Sequence, residues 1–378
     1  MSKDIAVIAK PVGSRCNMSC AYCYYLEKGQ YSSSKKQTRM SFALLEKLIK
    51  NTVEANEGPV VSFVWHGGEP TLAGIDFYKQ VVALEKKHLP KNKQAWNNLQ
   101  TNGLILNDEW CRFLKENRFD VGLSIDGDKL THDKNRRDKG GNPTFDRIYK
   151  AAQRLKSHDI MPDLLCTVNA ETVKRPKEVY RALRQLDTGW IQFIPVIVVD
   201  EKGDIDPISV SPEGYGDFLC DVFDEWIHND LGKCDVQMFA ETAKVWAGGK
   251  AAVCHMAETC GQVLVCEEDG SIYSCDHFVD NEHRLGNLMG DNLAKLAQSQ
   301  RQTDFGNMKK DSLSEECKAC PHLKVCNGGC PKDRFGENGQ YYLCKGLKKY
   351  FDHAYGPLHK VMEMSRKGMK PDEIMKNI

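Results

Sequence analysis

Three thiols fall within eight residues, at Cys16, Cys20 and Cys23, spaced x3 and then x2, with Tyr22 immediately before the third. A tetrahedral zinc site takes four ligands, and no fourth Cys or His lies nearby in the chain. A cubane iron–sulfur cluster also has four corners, normally all held by thiolates. Three protein thiolates would leave one iron open for a substrate or cofactor. The plain alternative is three unrelated buried cysteines.

A second array lies far downstream. Cys254-x5-Cys260-x14-Cys275 is followed by Cys317-x2-Cys320-x5-Cys326-x3-Cys330 and finally by Cys344. The x2 and x3 spacings suit metal binding, because two thiolates must converge on one centre from a tight turn. Eight ligands make two closed four-cysteine sites beside the open three-cysteine one. Four-cysteine zinc ribbons use similar spacing, so the pattern by itself leaves zinc as an alternative to iron–sulfur. The chain has 16 cysteines in all. In a reducing compartment disulfides do not persist, so clustered cysteines read as metal ligands. The scattered remainder, Cys111, Cys166, Cys220, Cys234 and Cys266, read as small core hydrophobes.

The elements that must carry these residues follow from periodicity. The chain's 378 residues suffice for an elaborated barrel or for one large and one smaller domain. Lys+Arg and Asp+Glu both number 52, so no global field favours nucleic acid or an anionic membrane. Ile5–Ala9 is too short an apolar run for a signal peptide, and none reaches the length of a membrane span. A soluble cytoplasmic protein is expected, with neither nucleic acid nor membrane as partner.

From residue 4 to about 197, short apolar runs alternate with amphipathic segments. Strands are expected at Ile5–Val12, Val60–Trp65, Ala95–Gln100, Phe119–Leu123, 162–168 and 190–197. Helices are expected from Ser41 to about Ala55, over Asp76–His88, after an Asn107 cap, and over 143–157 and 175–186. Six βα repeats give an α/β fold with a parallel sheet, two short of a closed eight-fold barrel. The cysteine loop, His66–Pro70, Thr101-Asn102-Gly103 and Ser124–Gly127 all sit just past strand ends, where parallel α/β folds gather chemistry. Paired glycines at Gly67-Gly68 let backbone approach a ligand closely, or they simply form a tight turn. Beyond a polar loop at 198–211, a helix starting at Ser211-Pro212 and another over 237–247 lead into the second cysteine array, and a helical stretch over 346–376 ends the chain.

The C-x3-C-x-aromatic-C loop followed by Gly-Gly-Glu resembles the radical S-adenosylmethionine (SAM) enzymes. The downstream array C-x9-G-x4-C … C-x2-C-x5-C-x3-C … C resembles their SPASM extension. Nearly end to end, the chain is similar to the anaerobic sulfatase-maturating enzymes. The matching runs are Ala9-Lys10-Pro11, Cys23–Lys28, Trp65–Pro70, Leu99–Gly103, Val121–Gly127, Gln192-Phe193 and Tyr273–Val279. The resemblance implies a partial (β/α)6 radical SAM barrel with a bridging helix over 1–235, a SPASM domain with two auxiliary iron–sulfur clusters over 236–350, and a helical segment over 351–378.

It also implies three [4Fe–4S] clusters and SAM. Cys16, Cys20 and Cys23 would hold the first cluster, Cys254, Cys260, Cys275 and Cys330 the second, and Cys317, Cys320, Cys326 and Cys344 the third. Cys266 would be a strand residue of the Val263–Ser274 hairpin and no ligand. Tyr22, Gly68, Ser124, Arg136 and Ile197 would contact SAM, and a guanidinium at Arg136 suits its carboxylate. The implied reaction oxidises a cysteine or serine in an unfolded sulfatase segment of Cys/Ser-x-Pro/Ala-x-Arg type to Cα-formylglycine, with flavodoxin or ferredoxin as electron donor. SAM cleavage would yield a radical that takes hydrogen from the substrate Cβ, and Asp276 would accept the thiol or hydroxyl proton. Without the resemblance Asp276 does not stand out, and His277 and Asp280 are rival bases. Two alternatives stay open: another peptide-modifying SPASM enzyme, such as a thioether-forming one, and a non-catalytic zinc-binding interaction module.

Overall fold

The computed structural model describes residues 5–25, 39–200 and 202–378. Among the described residues, ten strands run in chain order: β1 (Ala6–Ala9), β2 (Val60–Trp65), β3 (Gln94–Thr101), β4 (Asp120–Ser124), β5 (Asp163–Val168), β6 (Trp190–Pro195), β7 (Asp235–Val236), β8 (Val263–Cys266), β9 (Ser271–Tyr273) and β10 (Arg284–Asn287). All six strands expected from the βα rhythm form, within a few residues of their anticipated ends.

Two compact units divide the chain. The first comprises Met1–Ser124, Arg136–Pro162 and Cys260–Asn307. Its strands lie in the order β10-β9-β8-β1-β2-β3-β4. β1, β2, β3 and β4 pair in parallel, with Val7 opposite Phe63, Val61 opposite Ala95 and Leu99 opposite Val121. β8 adds to β1 in parallel, Ala6 opposite Val263, while β9 and β10 continue antiparallel. Thus the expected hairpin of the cysteine-rich region forms, and it extends the sheet that carries the N-terminal cysteine loop. Nothing in local periodicity announces that pairing, since a short buried strand reads alike beside any partner.

Helix Phe42–Ala55 starts where Ser41 Oγ accepts from Leu44 N at 3.2 Å, and helix Asp108–Glu116 starts where Asn107 Oδ1 accepts from Trp110 N at 3.0 Å. Leu44, Leu45, Leu48 and Ile49 turn into a core with Phe63, Trp65, Phe77 and Tyr78. That packing fixes the C-terminal ends of β1, β2 and β3, from which the chemistry-bearing loops emerge.

The second unit comprises Ile125–Asn135, Asp163–Thr259 and Met308–Ile378. In it β5, β6 and β7 pair in parallel, Leu164 opposite Ile191 and Trp190 opposite Asp235. Helix Pro212–Asn229 is capped by Ser211, as expected. Helix Lys129–Asn135 was not anticipated: seven residues inside a charge run show no readable apolar stripe, and Asp128 Oδ1 caps it through Thr131 N at 2.8 Å. The expected helical stretch 346–376 divides into Cys344–Arg366 and Pro371–Met375. Gly368, at a φ of +79°, and Pro371 at the next helix start enforce the break. Among the described residues, no helix is long and apolar enough to cross a membrane.

Candidate active site and cluster-binding cysteines

The three-cysteine loop leaves β1 through Lys10 and is held from several sides. Ser19 N donates to Arg137 O at 2.8 Å, Lys139 N to Asn17 O at 3.2 Å, and Cys23 N to Cys20 O at 3.1 Å. Asn102, just past β3, donates through Nδ2 to Asn17 Oδ1 at 2.8 Å and to Cys16 Sγ at 3.7 Å. The loop is thereby fastened on both flanks before any cofactor is considered.

The double glycine after β2 meets the same loop. Gly68 N donates to Gly13 O, and Glu69 N to Arg15 O, both at 2.8 Å. A Cβ at Gly68 would stand 2.0 Å from Arg15 O, which no rotamer change relieves because the obstacle is backbone. The chain's own cysteine loop therefore approaches Gly68 closely, a contact that the sequence pattern did not specify. Glu69 is buried and accepts from Thr71 N, Thr71 Oγ1, Thr101 Oγ1 and Asn102 N at 2.5–3.0 Å. Burial raises its carboxyl above the usual range while these donors pull it back. The cysteine loop, Gly-Gly-Glu and Thr-Asn-Gly signatures converge, as the strand-end reading required.

Of the expected SAM contacts, Tyr22, Gly68, Ser124 and Arg136 lie in the first unit and Ile197 in the second. Arg136 is almost buried, its guanidinium 5.6 Å from the Tyr22 ring centroid. Ser124 ends β4, and Ile197, two residues past β6, is buried.

Asp276 sits at the centre of a charged cluster in the first unit. Lys10 Nζ is 2.6 Å from Asp276 Oδ1, with the Lys10 side chain fully buried and that of Asp276 15% exposed. Tyr24 OH donates to Asp276 Oδ2. Lys10 Nζ also lies 3.0 Å from His66 Nδ1 and 4.2 Å above the centre of the Tyr25 ring. His66 Nδ1 accepts from Gly67 N at 2.7 Å, so its ring proton belongs on Nε2. Burial and the Lys10 charge push His66 down to about 3, leaving it neutral. Burial alone would raise the Asp276 carboxyl; the Lys10 ammonium in contact with it prevails and holds it well below the usual carboxylate range. Tyr25 OH donates to Glu267 Oε1, and burial pushes that carboxyl up to about 8.

Sequence reasoning gave no role to Lys10, Tyr24, Glu267 or Asn102. A signal existed for Lys10: a cation directly after an apolar four-residue strand, at the strand end where such sheets place their chemistry. His277 and Asp280, the rival bases, are also located. The His277 ring tilts against Tyr24 at 5.3 Å, and Asp280 Oδ1 is taken by His283 N and Nδ1 at 2.9 and 2.8 Å.

The downstream cysteines separate by unit. Cys260 and Cys275 belong to the first, and Cys254, Cys317, Cys320, Cys326, Cys330 and Cys344 to the second. Cys317, Cys320, Cys326 and Cys344 line a single cavity, the foursome that the resemblance assigns to one cluster. Among the described residues no three His, Cys, Asp or Glu groups converge closely enough to hold one ion. A cubane needs its thiolates spread around a larger body, and a cavity ringed by four thiols fits that donor set. The five scattered cysteines are buried, Cys266 within β8.

Comparison with known proteins gives the chain its context. Residues 11–183 match the radical SAM superfamily, and residues 245–321 match an iron–sulfur cluster-binding domain, SPASM. The chain is 40% identical over 373 residues to a serine-type anaerobic sulfatase-maturating enzyme of Bacteroides thetaiotaomicron, covering 93% of this chain and 90% of that one. It is 33% identical over 359 residues to a cysteine-type enzyme of Clostridium perfringens, covering 93% and 96%. The solved structure of native anSMEcpe with bound AdoMet and Cp18Cys peptide superposes with a TM-score of 0.86 at 33% identity, over 95% of this chain and 99% of that one. With that identity along nearly its whole length, a SAM-type three-cysteine loop and a cluster-binding extension, the chain belongs to the anaerobic sulfatase-maturating enzymes of the radical SAM superfamily.

Proposed function

We propose that this protein oxidises a cysteine or serine side chain of an unfolded sulfatase polypeptide to Cα-formylglycine, with Asp276 as the base. The observation that carries the assignment is the partly buried carboxylate directly after Cys275, paired with the fully buried Lys10 at 2.6 Å and aligned by Tyr24. Cys16, Cys20 and Cys23 hold one [4Fe–4S] cluster. Cys254, Cys260, Cys275 and Cys330 hold a second, and Cys317, Cys320, Cys326 and Cys344 a third. Tyr22, Gly68, Ser124, Arg136 and Ile197 hold SAM. When bound, the first cluster and SAM would supply hydrogen-atom abstraction at the substrate Cβ, and an auxiliary cluster would supply an acceptor for the second electron.

The chain's own residues do the rest. Asp276 accepts the thiol or hydroxyl proton, which raises the reducing power of the adjoining carbon and couples proton loss to electron loss. Lys10 keeps Asp276 ionised and so ready to accept. Tyr24 OH fixes one carboxylate oxygen and leaves the carboxylate a defined orientation. Neutral His66 accepts from the Lys10 ammonium without competing for its charge. The functional division is a SAM-binding part over 1–235, an auxiliary-cluster part over 236–350 and a helical segment over 351–378. The enzyme works in the cytoplasm on a Cys/Ser-x-Pro/Ala-x-Arg type segment, with flavodoxin or ferredoxin as electron donor.

Reduced enzyme and SAM incubated with Cys-x-Pro-x-Arg and Ser-x-Pro-x-Arg peptides test the reading. The expected product is an aldehyde that reacts with a hydrazine probe; a thioether-bridged peptide, or no aldehyde from either peptide, refutes it. Asp276→Asn should spare uncoupled SAM cleavage while depressing aldehyde formation; equal loss of both would make Asp276 structural.

A further inference from the structure

A second fully buried lysine lies in the other unit. Lys309, near the end of helix Gln300–Asp311, is 0% exposed. Its Nζ donates to Cys254 O at 2.7 Å, to His255 O at 3.0 Å and to Ala257 O. An ammonium has three N–H donors, and three carbonyls from four consecutive residues take them. The remaining carbonyl of that stretch, Met256 O, accepts from Asn327 Nδ2 at 2.7 Å. Every carbonyl from Cys254 to Ala257 is therefore held.

The clamp reaches the other cysteine loop. Arg334 donates to Lys309 O at 2.6 Å, to Gly328 O at 2.9 Å and to Asn327 O at 3.0 Å. Asn327, Gly328 and Gly329, all at positive φ, fill the interval between Cys326 and Cys330. Burying a lysine is costly unless its donors are satisfied. Surface packing of one helix does not call for a cation there, since a methionine would fill the same space without a charge.

We propose that Lys309 is a positioning residue for the auxiliary cluster held by Cys254 and Cys330, and that its fixed charge raises that cluster's reduction potential, favouring uptake of the second electron. The inference rests on the ligand assignment given above. The three carbonyl acceptors of the Lys309 ammonium are neutral groups, and a nearby positive charge stabilises the more negative, reduced cluster.

The test uses reconstituted full-length enzyme carrying Lys309→Met, Lys309→Gln, Lys309→Arg or Cys254→Ala. Lys309→Met, which leaves the carbonyls without a donor, should fall from about twelve to about eight iron per chain while keeping SAM cleavage. Lys309→Gln keeps two donors without the charge. It should retain iron, but the oxidised-to-reduced ratio of one auxiliary cluster at fixed potential should rise at least tenfold, about 59 mV for a one-electron couple. Lys309→Arg should stay near the parent potential. Full iron in Lys309→Met, or unchanged potentials in Lys309→Gln, overturns the inference; if the methionine variant precipitates, the glutamine potentials decide. Cys254→Ala separates the two readings. Undiminished iron in Cys254→Ala sinks the ligand assignment, whereas iron loss there beside unaffected Lys309 variants sinks only the role of Lys309.

Discussion

Replacing Lys10 by methionine keeps the buried stem and deletes the charge that Asp276 faces at 2.6 Å. Coulomb's law at an effective dielectric of about 20 gives roughly 6 kcal/mol for unit charges at that separation, an upper figure. Breaking a buried pair by removing one partner costs about 3–5 kcal/mol in measured cases. At about 1.4 kcal/mol per pH unit, the Asp276 titration should move upward by about 2–4 pH units, toward the lower end because Tyr24 still donates to it. The sign follows from the pairing. With Lys10 present the carboxyl is depressed, so aldehyde formation should persist as pH falls below the ordinary carboxylate range of about 4. In Lys10→Met the acid limb should climb back toward the ordinary carboxylate range of about 4, with activity recovering above it because a less acidic Asp276 is the stronger base. The assay is the pH profile of aldehyde formation beside that of uncoupled SAM cleavage, which should not acquire the new limb. An unmoved acid limb, or a loss of both reactions at every pH, would refute the electrostatic role.

Gly68→Ala should be the most damaging single methyl group in the first unit, since its Cβ would fall 2.0 Å from Arg15 O. Overpacking of this kind costs about 1–3 kcal/mol or more, and iron analysis should find about one third of the iron missing, with SAM binding lost by calorimetry. Glu85 is buried, accepts from Asn97 Nδ2 at 3.0 Å and is pushed up to about 7 by burial. Its native form binds a proton that the unfolded form releases above about pH 4.5, so stability should decline from there to about pH 7. The decline is on the order of 3 kcal/mol. Glu85→Gln should flatten that part of the chemical-denaturation profile, and an unchanged slope would show that Glu85 is ionised in the folded protein.

The sequence by itself determined the chemistry to a large degree. Thiol spacing is a local property, so Cys16, Cys20 and Cys23 could be read as an open three-ligand site, and the eight downstream cysteines as two closed ones. Strand and helix positions were also local, because apolar period and caps such as Ser41, Asn107 and Ser211 act within a few residues. Asp276 came only through family resemblance, since an aspartate beside a cysteine carries no local mark of basicity. Tertiary structure decided what makes that carboxylate special. β8 pairs with β1 and β9 folds back on β8, which sets β9 and the loop after it beside β1, within reach of the long Lys10 side chain. An ion pair between residues 10 and 276 depends on that long-range register and on desolvation, and neither leaves a periodic trace in the chain. The same holds for Gly68, whose pattern suggested close approach to a ligand, while packing adds that the cysteine loop approaches it as well. Local spacing thus suggests which thiols act together; which charge lies beside which carboxylate is settled only when distant strands pair.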